Sequence, residues 1–311
     1  MATYRILSFD GGGLRGVVTA VLLQRLQAVR PGLLADVALM AGTSTGALIA
    51  LGLRHGLTPT ALRELYVQRG AEIFSAGPWR RLRSLGTLAG ARYPAAPRER
   101  VLRELLGADT RLDQLSGAAL IAAFDLDPET SGLDPARRNW KPKIFHNLPG
   151  DDSDGAELVW RVAMATSAAP TYFPSYDGYV DGGVYANNPA LCALAQTQDP
   201  RSGGPVPWAD IRLLSLGTGT ARTVISGAEV DWGYLQWAPK LVDLMLDGVS
   251  GIADYQCRML LGADQYLRYA PYFPPEHNVA MDDVAALPWL LQWAESLPLA
   301  PLLEWLDAAW G

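Results

Sequence analysis

One serine in this sequence of 311 residues stands in a setting that could make it a nucleophile. Gly42-Thr43-Ser44-Thr45-Gly46 matches G-x-S-x-G, the pattern of a sharp strand-to-helix turn that exposes a serine hydroxyl. The glycines relieve steric clashes at such a turn, and the N-terminus of the following helix favours developing negative charge. The pentapeptide alone is a weak signal, because glycine and serine are common in ordinary turns. An apolar run on each side favours the nucleophile.

A second glycine-rich turn, Asp10-Gly11-Gly12-Gly13-Leu14-Arg15-Gly16, is open to two interpretations. It satisfies the G-x-G-x-x-G pattern of dinucleotide-binding turns, with an acid, Asp36, about 20 positions further on. That acid precedes its predicted strand, whereas a ribose-binding acid belongs at the end of the strand. Alternatively, the N–H groups of the turn bind the oxyanion of an acyl-transfer reaction at Ser44. A nucleotide-binding module that uses the turn at Gly11 to Gly16 is the competing interpretation.

A nucleophilic serine needs a base, and the three histidines are poor candidates for it. His55 follows Ser44 on the same predicted helix, about 16 Å along the helix axis. His146 and His277 are better explained as ordinary core or surface imidazoles. The remaining candidate is a carboxylate: Asp181 ends a short apolar stretch and is followed by two glycines. On this local pattern alone, a plain turn aspartate is the simpler interpretation of Asp181.

The elements that position these segments are strands and helices in alternation. Predicted strands at Tyr4–Phe9 and 36–41 lead into the two glycine turns, and apolar helices follow from Gly16 and over 47–53. Two strand–helix units in the first 56 residues predict an α/β fold with a mainly parallel sheet. Further predicted elements are a helix at Pro59–Ile73 and strands at 118–124, 143–145, 179–180 and Ile211–Leu216.

Composition narrows the class of protein. The chain is 49% hydrophobic and 19% charged, which is typical of a globular protein with a large core and excludes a mainly disordered chain. Its 26 basic and 32 acidic residues give a net charge of −6, opposite to the balance of a dedicated nucleic-acid binder. Two cysteines are too few for a disulfide framework or a zinc cluster, and we expect no metal or other cofactor.

No secretory leader is visible at the N-terminus, and no uncharged run reaches the roughly 18 residues that a membrane-spanning helix needs. We therefore expect a cytoplasmic protein that at most contacts a membrane peripherally.

Six collinear segments resemble the patatin family of lipid acyl hydrolases, over roughly residues 4–220. Three of them carry the candidate chemistry: the glycine turn at 10–16, the serine turn at 42–46 and the aspartate motif at 181–183. The supporting segments are Thr166-Ser167-Ala168-Ala169-Pro170 with Tyr172-Phe173 after it, Ala186-Asn187-Asn188-Pro189, and Leu214-Ser215-Leu216-Gly217-Thr218-Gly219.

The resemblance implies a three-layer α/β/α sandwich with a mainly parallel central sheet and a catalytic dyad without histidine. By that resemblance Ser44 is the nucleophile and Asp181 the general base. The oxyanion hole consists of the N–H groups of Gly11, Gly12 and Gly13, and Arg15 supports the glycine loop or binds a lipid phosphate. The implied activity is that of a serine hydrolase, of phospholipase A, lysophospholipase or esterase type, which cleaves carboxylic esters of glycerolipids through an acyl-enzyme.

We expect a catalytic domain over residues 1–220 and a helical C-terminal extension over 221–311 packed on it. The arginine-rich segment 77–103 is either a lid-like basic patch that attracts anionic phospholipid or a solvated helical surface. Trp289 and Trp293 either bind acyl chains or a membrane interface, or take part in ordinary helix packing. The expected partner is a phospholipid or another acyl-ester lipid, and no nucleic acid. A non-catalytic lipid-binding protein is the alternative from another functional class.

Overall fold

The predicted strands form one seven-stranded sheet in the computed structural model, which describes residues 3–76, 90–127, 138–227 and 229–310. The strands are β1 (Tyr4–Phe9), β2 (Val37–Thr43), β3 (Ala118–Asp125), β4 (Lys141–His146), β5 (Tyr179–Asp181), β6 (Ile211–Leu216) and β7 (Tyr266–Tyr269). Six of them lie in the order β4-β3-β2-β1-β6-β7, and β5 pairs with β3. The pairings among β3, β2, β1, β6 and β7 are parallel, whereas β4 and β5 run antiparallel to β3.

Helices connect the strands. The described ones are α1 (Gly16–Val29), α2 (Thr45–Arg54), α3 (Pro59–Ile73), α4 (Ala95–Leu106), α5 (Val159–Thr166), α6 (Gly183–Ala186), α7 (Ala190–Gln196), α8 (Tyr234–Leu261), α9 (Leu287–Ser296) and α10 (Ala300–Trp305). Within the described ranges, none of these helices combines the length and the apolar character needed to cross a bilayer.

Apolar side chains leave both faces of the sheet, because neighbouring residues of a strand point to opposite sides. In β1, Leu7 belongs to the core cluster that contains α1, α2 and α9, whereas Ile6 belongs to the cluster that contains α7 and the end of α8. In β2, Met40 and Leu39 divide in the same way. Helices therefore cover both faces, and the expected three-layer α/β/α sandwich with a mainly parallel sheet is confirmed.

The structure differs from the sequence expectations mainly after residue 220. There the 28-residue helix α8 and the strand β7 were not predicted, and β7 pairs in parallel with β6. The region 221–311 is therefore not purely helical, since it adds a strand to the sheet that carries the glycine turn. The proposed domain boundary at 220 stays a prediction. Of the segment 77–103, residues 77–89 lie outside the described part of the chain, and α4 begins at Ala95.

Candidate active site

Strand register brings Ser44 and Asp181 together, although they lie far apart in the sequence. Thr43, the last residue of β2, pairs with Ala122 of β3. The next residue of β3, Ala123, pairs with Asp181 at the end of β5. β2 and β5 thus occupy the same edge of β3, one after the other, and their ends meet. The Ser44 hydroxyl donates a hydrogen bond to the Asp181 carboxylate.

The turn that carries Ser44 is strained, as the G-x-S-x-G pattern predicts. Ser44 has φ 53° and ψ −122°, in the positive-φ region that costs a non-glycine residue about 1–3 kcal/mol. Gly46 permits a close approach, because a Cβ there would lie 2.1 Å from the carbonyl oxygen of Phe9. β1 and the first turn of α2 can therefore pack together only when that residue is glycine.

A short segment at the C-terminal end of α5, residues 166–168, holds both members of the pair. The Thr166 hydroxyl accepts a hydrogen bond from the Ser44 N–H at 2.9 Å. Two residues later, the carbonyl of Ala168 accepts a hydrogen bond from the Asp181 N–H at 3.1 Å. This segment was expected only as a supporting motif. Its contacts show that it fixes the backbone of Ser44 relative to that of Asp181.

Asp181 is buried, with 5% of its surface exposed, and its surroundings make it an unusually basic carboxylate. Burial raises the pKa of Asp181 to about 6. Three interactions oppose that rise: the hydrogen bond from Ser44, a hydrogen bond from the Gly183 N–H at 2.8 Å, and the positive charge of Arg98. At neutral pH Asp181 is therefore mostly ionised, yet it accepts a proton far more readily than an exposed aspartate.

Arg98 is a buried cation at this site, although its segment was expected to be either a lid-like basic patch or a solvated helical surface. It is 2% exposed, and its guanidinium lies 4.3 Å from the ring centroid of Phe173. It donates a hydrogen bond to the carbonyl of Ser167, in the segment that holds the serine and the aspartate. Desolvation lowers the pKa of Arg98 to about 10, so the group remains charged at neutral pH. Spacing could have revealed its burial, because Leu102 and Leu106 follow at intervals of four on the buried face of α4.

The glycine turn lies against Ser44. A Cβ on Gly11 would lie 3.5 Å from the Cβ of Ser44. However, the Gly11 N–H already donates to the carbonyl of Asn187 at 3.0 Å. Gly12 and Gly13 line the pocket, and among the described residues neither N–H has a backbone acceptor. Of the three expected oxyanion donors, Gly11 therefore has its N–H engaged within the described structure, and the function of Gly12 and Gly13 stays a prediction.

Neighbouring segments determine the conformation of the glycine turn. Gly13 has φ 58°, and a Cβ there would lie 2.3 Å from the carbonyl oxygen of Met281. The next N–H, that of Leu14, donates to the same carbonyl at 2.8 Å. A Cβ on Gly12 would lie 2.2 Å from the Thr218 hydroxyl oxygen. The C-terminal region thus helps to shape the turn.

Asp10, which begins the glycine turn, forms a buried bidentate ion pair with Arg268 of β7 at 2.6 and 3.0 Å. Both side chains are at least nine-tenths buried. Arg268 was not among the expected site residues, because no local pattern links it to Asp10 across the sequence. Asp36, the acid that the dinucleotide interpretation requires, precedes β2; its side chain is largely exposed and lies 3.9 Å from the Arg5 guanidinium.

Arg15 contacts the glycine turn rather than the pocket wall. Its Nε lies 3.4 Å from the carbonyl oxygen of Gly12. Desolvation lowers the pKa of Arg15, and the charges of Asp247 and Asp243 on α8 oppose that shift. Of the two expected functions for Arg15, this position favours support of the loop over contact with substrate.

The histidines lie elsewhere. His55 directly follows the last residue of α2, and His146 lies 3.8 Å from Asp152. His277 stacks on Trp289 with ring centroids 4.1 Å apart, and Trp289 in turn stacks on Trp293. None of these residues lines the pocket among the described residues. The contacts of the two tryptophans favour packing over lipid contact.

Ser44 and Asp181 open into a cavity of about 290 Å³ whose walls are mostly apolar. Aliphatic, thioether and aromatic side chains form most of its lining, including Leu48, Phe74, Phe173, Val184, Leu246 and Met281. Arg98 is the one cationic side chain among the described residues of this lining. Such a cavity suits a hydrocarbon chain whose reactive group lies at the serine.

Comparison with known proteins gives a consistent result. The family model described as Patatin-like phospholipase matches residues 7–194. A putative sporulation hydrolase of Bacillus subtilis, CotR, is 28% identical over 336 aligned residues, which cover 100% of this chain and 99% of CotR. A cGAMP-activated phospholipase of Pseudomonas aeruginosa is 32% identical over 85% of this chain and 77% of its own length. Patatin-like protein 2 of Arabidopsis thaliana is 30% identical over 80% of this chain and 70% of its own length.

Proposed function

Because the chain belongs to the patatin-like phospholipase family, we propose that it cleaves carboxylic esters of glycerolipids with Ser44 as nucleophile and Asp181 as general base. The observation that carries this proposal is the hydrogen bond between the Ser44 hydroxyl and a buried Asp181 carboxylate at an apolar cavity. Family membership supports lipid hydrolysis, and the geometry supports the assignment of the two residues. Arg15 is proposed to support the glycine loop.

In the first half of the reaction, the Ser44 oxygen attacks the ester carbonyl carbon while Asp181 accepts the hydroxyl proton. The carbonyl oxygen gains negative charge, and the N–H groups of Gly12 and Gly13 bind it. Each such aimed donor contributes about 3–4 kcal/mol to the stability of the transition state. The bond to the alcohol then breaks, Asp181 returns the proton to the leaving alkoxide, and an acyl-serine remains.

In the second half, water attacks the acyl-serine carbonyl and Asp181 accepts a proton from the water. The same two N–H groups bind the second oxyanion. As that intermediate collapses, Ser44 regains its proton from Asp181 and the fatty acid leaves. The raised pKa of Asp181 serves both halves, because proton transfer is most efficient when the pKa of the base lies near the operating pH.

The strained turn contributes to the proposed reaction by positioning Ser44 next to Asp181. The backbone of Ser44 is fixed by Thr166, and that of Asp181 by Ala168, so the two side chains are held together before substrate binds. Such preorganisation avoids an ordering cost during the reaction. A non-catalytic lipid-binding protein would have no need of this arrangement.

A panel of glycerolipids read by mass spectrometry tests the proposal. The wild-type protein is expected to release fatty acid and the matching lysolipid or alcohol, and Ser44→Ala is expected to lose this activity by at least about 10³-fold. Ser153→Ala, at an exposed serine, is the matched control and should retain full activity. Lipid binding without ester cleavage by the wild type would instead support the non-catalytic alternative.

A further inference from the structure

The longest described helix, α8, carries an uncovered apolar face. Leu241, Leu244, Ile252, Tyr255 and Met259 lie on one side of it, and each is between 40% and 65% exposed. Their spacing of three, eight, three and four residues places them on a single face at 100° per residue. We call these five residues the α8 stripe. At a rise of 1.5 Å per residue, the stripe is about 27 Å long.

The opposite side of α8 is already packed against the domain. Ala253, Cys257 and Leu261 are buried, and Cys257 and Leu261 belong to the core on one face of the sheet. Nearer the N-terminus of the helix, the Ser250 hydroxyl accepts a hydrogen bond from the Asn187 side chain at 3.0 Å. The exposure of the stripe is therefore not the result of a helix that lacks its own packing face. A second, outward apolar face remains.

The stripe is continuous with the cavity that contains Ser44. Val242, Met245 and Leu246, from the same turns of α8, line that cavity. Met245 connects the two surfaces, since it lines the cavity and is itself 45% exposed beside the stripe. An apolar path thus runs from the outer face of α8 to the cavity without crossing a charged side chain of this helix.

We propose that the α8 stripe is the surface by which this protein docks on a phospholipid bilayer, with α8 lying in the plane of the membrane interface. The proposal rests on the proposed function, because it makes docking the step that gives an acyl chain access to Ser44. A chain that leaves the bilayer beside Met245 would reach the cavity without passing through water. An exposed apolar face of this extent normally marks a contact surface rather than free solvent exposure.

The residues at the start of α8 favour a lipid–water interface over a protein partner. Trp232 and Trp237 pack edge to face with ring centroids 5.2 Å apart, and the Lys240 ammonium lies 5.8 Å from the Trp232 ring. Indole rings, with an apolar body and a polar N–H, favour the boundary between hydrocarbon and water. Lysine adds a long apolar stem and a charge that can reach the head groups.

Acidic and basic side chains beside the α8 stripe offset one another, and this balance indicates the lipid charge that the stripe would prefer. The carboxylates of Asp243 and Asp247 interact with the positive charge of Arg15. Further along the helix, Asp254 forms an ion pair with Arg258 at 3.1 Å. Docking should therefore depend on burial of apolar surface, favour zwitterionic lipid and respond weakly to salt.

Flotation with phosphatidylcholine vesicles at about 0.1 M and about 1 M salt is the direct experiment. Wild-type protein is expected to float at both salt concentrations, and the triple variant L244Q/I252Q/M259Q to bind vesicles at least tenfold more weakly. None of the three residues lines the cavity. The matched control is V29Q/V67Q, which removes two exposed valines from α1 and α3 and should bind as the wild type does.

A catalytic readout separates docking from folding and from the proposed function. The triple variant should keep its activity on a dissolved short-chain ester and lose at least tenfold on vesicle phospholipid. Wild-type flotation by the triple variant would overturn the proposal. Binding only to anionic vesicles at low salt would overturn it in favour of the basic segment 77–103, and a wild-type dimer that the variant dissociates would assign the stripe to a second copy. If the wild type hydrolyses neither substrate, the proposed function fails, and flotation still decides the docking.

Discussion

Replacement of Asp181 by asparagine should stabilise the folded protein at alkaline pH. Burial raises the pKa of this carboxyl from 3.8 to about 6, and each pKa unit corresponds to about 1.4 kcal/mol. Ionised Asp181 therefore costs the folded state about 3 kcal/mol. The amide introduced by Asp181→Asn would carry no charge, and its oxygen can still accept the hydrogen bond from the Gly183 N–H.

The sign of the effect depends on pH. Below about pH 3, Asp181 is protonated in both the folded and the unfolded chain, and the cost is absent. The cost grows as pH rises from about 3 to 6, because the unfolded carboxyl ionises first, and it is complete above that range. Asp181→Asn should thus lie within about 1 kcal/mol of the wild type near pH 4 and exceed its free energy of unfolding by about 3 kcal/mol at pH 8.

Urea unfolding at the two pH values measures this difference. Asp199→Asn is the control, and its effect on stability should have the opposite sign. Hydrogen bonds and charge from Arg201 lower the pKa of Asp199 to about 2, so its ionised form stabilises the folded state. That variant should lose stability at pH 8 rather than gain it. If Asp181→Asn is no more stable than the wild type at pH 8, or differs from it equally at both pH values, burial does not raise the pKa of Asp181.

Three further changes test the surroundings of the site. Arg98→Met removes the positive charge that lowers the pKa of Asp181, so the acid limb of the pH–activity profile should move from about pH 6 to higher pH. Arg98→Lys should partly restore the wild-type profile. An unchanged profile in Arg98→Met would show that Arg98 does not affect the pKa of Asp181. Arg268→Met leaves the buried Asp10 carboxylate without its ion pair and should lower the free energy of unfolding by about 3–5 kcal/mol in urea titrations; a loss below about 1 kcal/mol would show that the pair is dispensable. Gly13→Ala places a methyl group 2.3 Å from a backbone oxygen at φ 58° and should abolish ester hydrolysis, whereas Gly32→Ala, with nothing within 4 Å, should be neutral in the same assay.

The elements next to the chemistry could be predicted from the sequence because their causes are local. Apolar runs that end in glycine turns specify β1 and β2, and the predicted helix at Pro59–Ile73 is observed with those bounds. Strand β2 continues to Thr43, two residues beyond its predicted end, because the extended backbone persists up to the strained Ser44. The serine turn can be identified from the residues next to it in the sequence alone.

The meeting of Ser44 and Asp181 could not be derived in this way. It depends on β5, a strand of three residues, and on its pairing with β3 across more than fifty positions of sequence. Local pattern favoured a plain turn aspartate, and only the family resemblance pointed to the pair.

Two buried arginines were not predicted from the sequence to lie at the site. Arg98 and Arg268 look like surface residues by type, and each is buried because a non-local acceptor meets it: the carbonyl of Ser167 and the carboxylate of Asp10. Helix α8 was also not predicted, although its sequence carries a helical signal: Asp243, Asp247 and Asp254 fall on one side of it and most of its other residues are apolar.

In the proposed mechanism, Asp181 activates the Ser44 hydroxyl as a nucleophile. Labelling with a fluorophosphonate, followed by peptide mass spectrometry, tests it most directly, because the probe reports the reactive oxygen itself. Ser44 should be the modified residue, with a labelling rate that falls about tenfold per pH unit below pH 6 and at least about 10³-fold in the folded Asp181→Asn variant. An unmodified Ser44, or a rate that Asp181→Asn leaves unchanged, would contradict the mechanism.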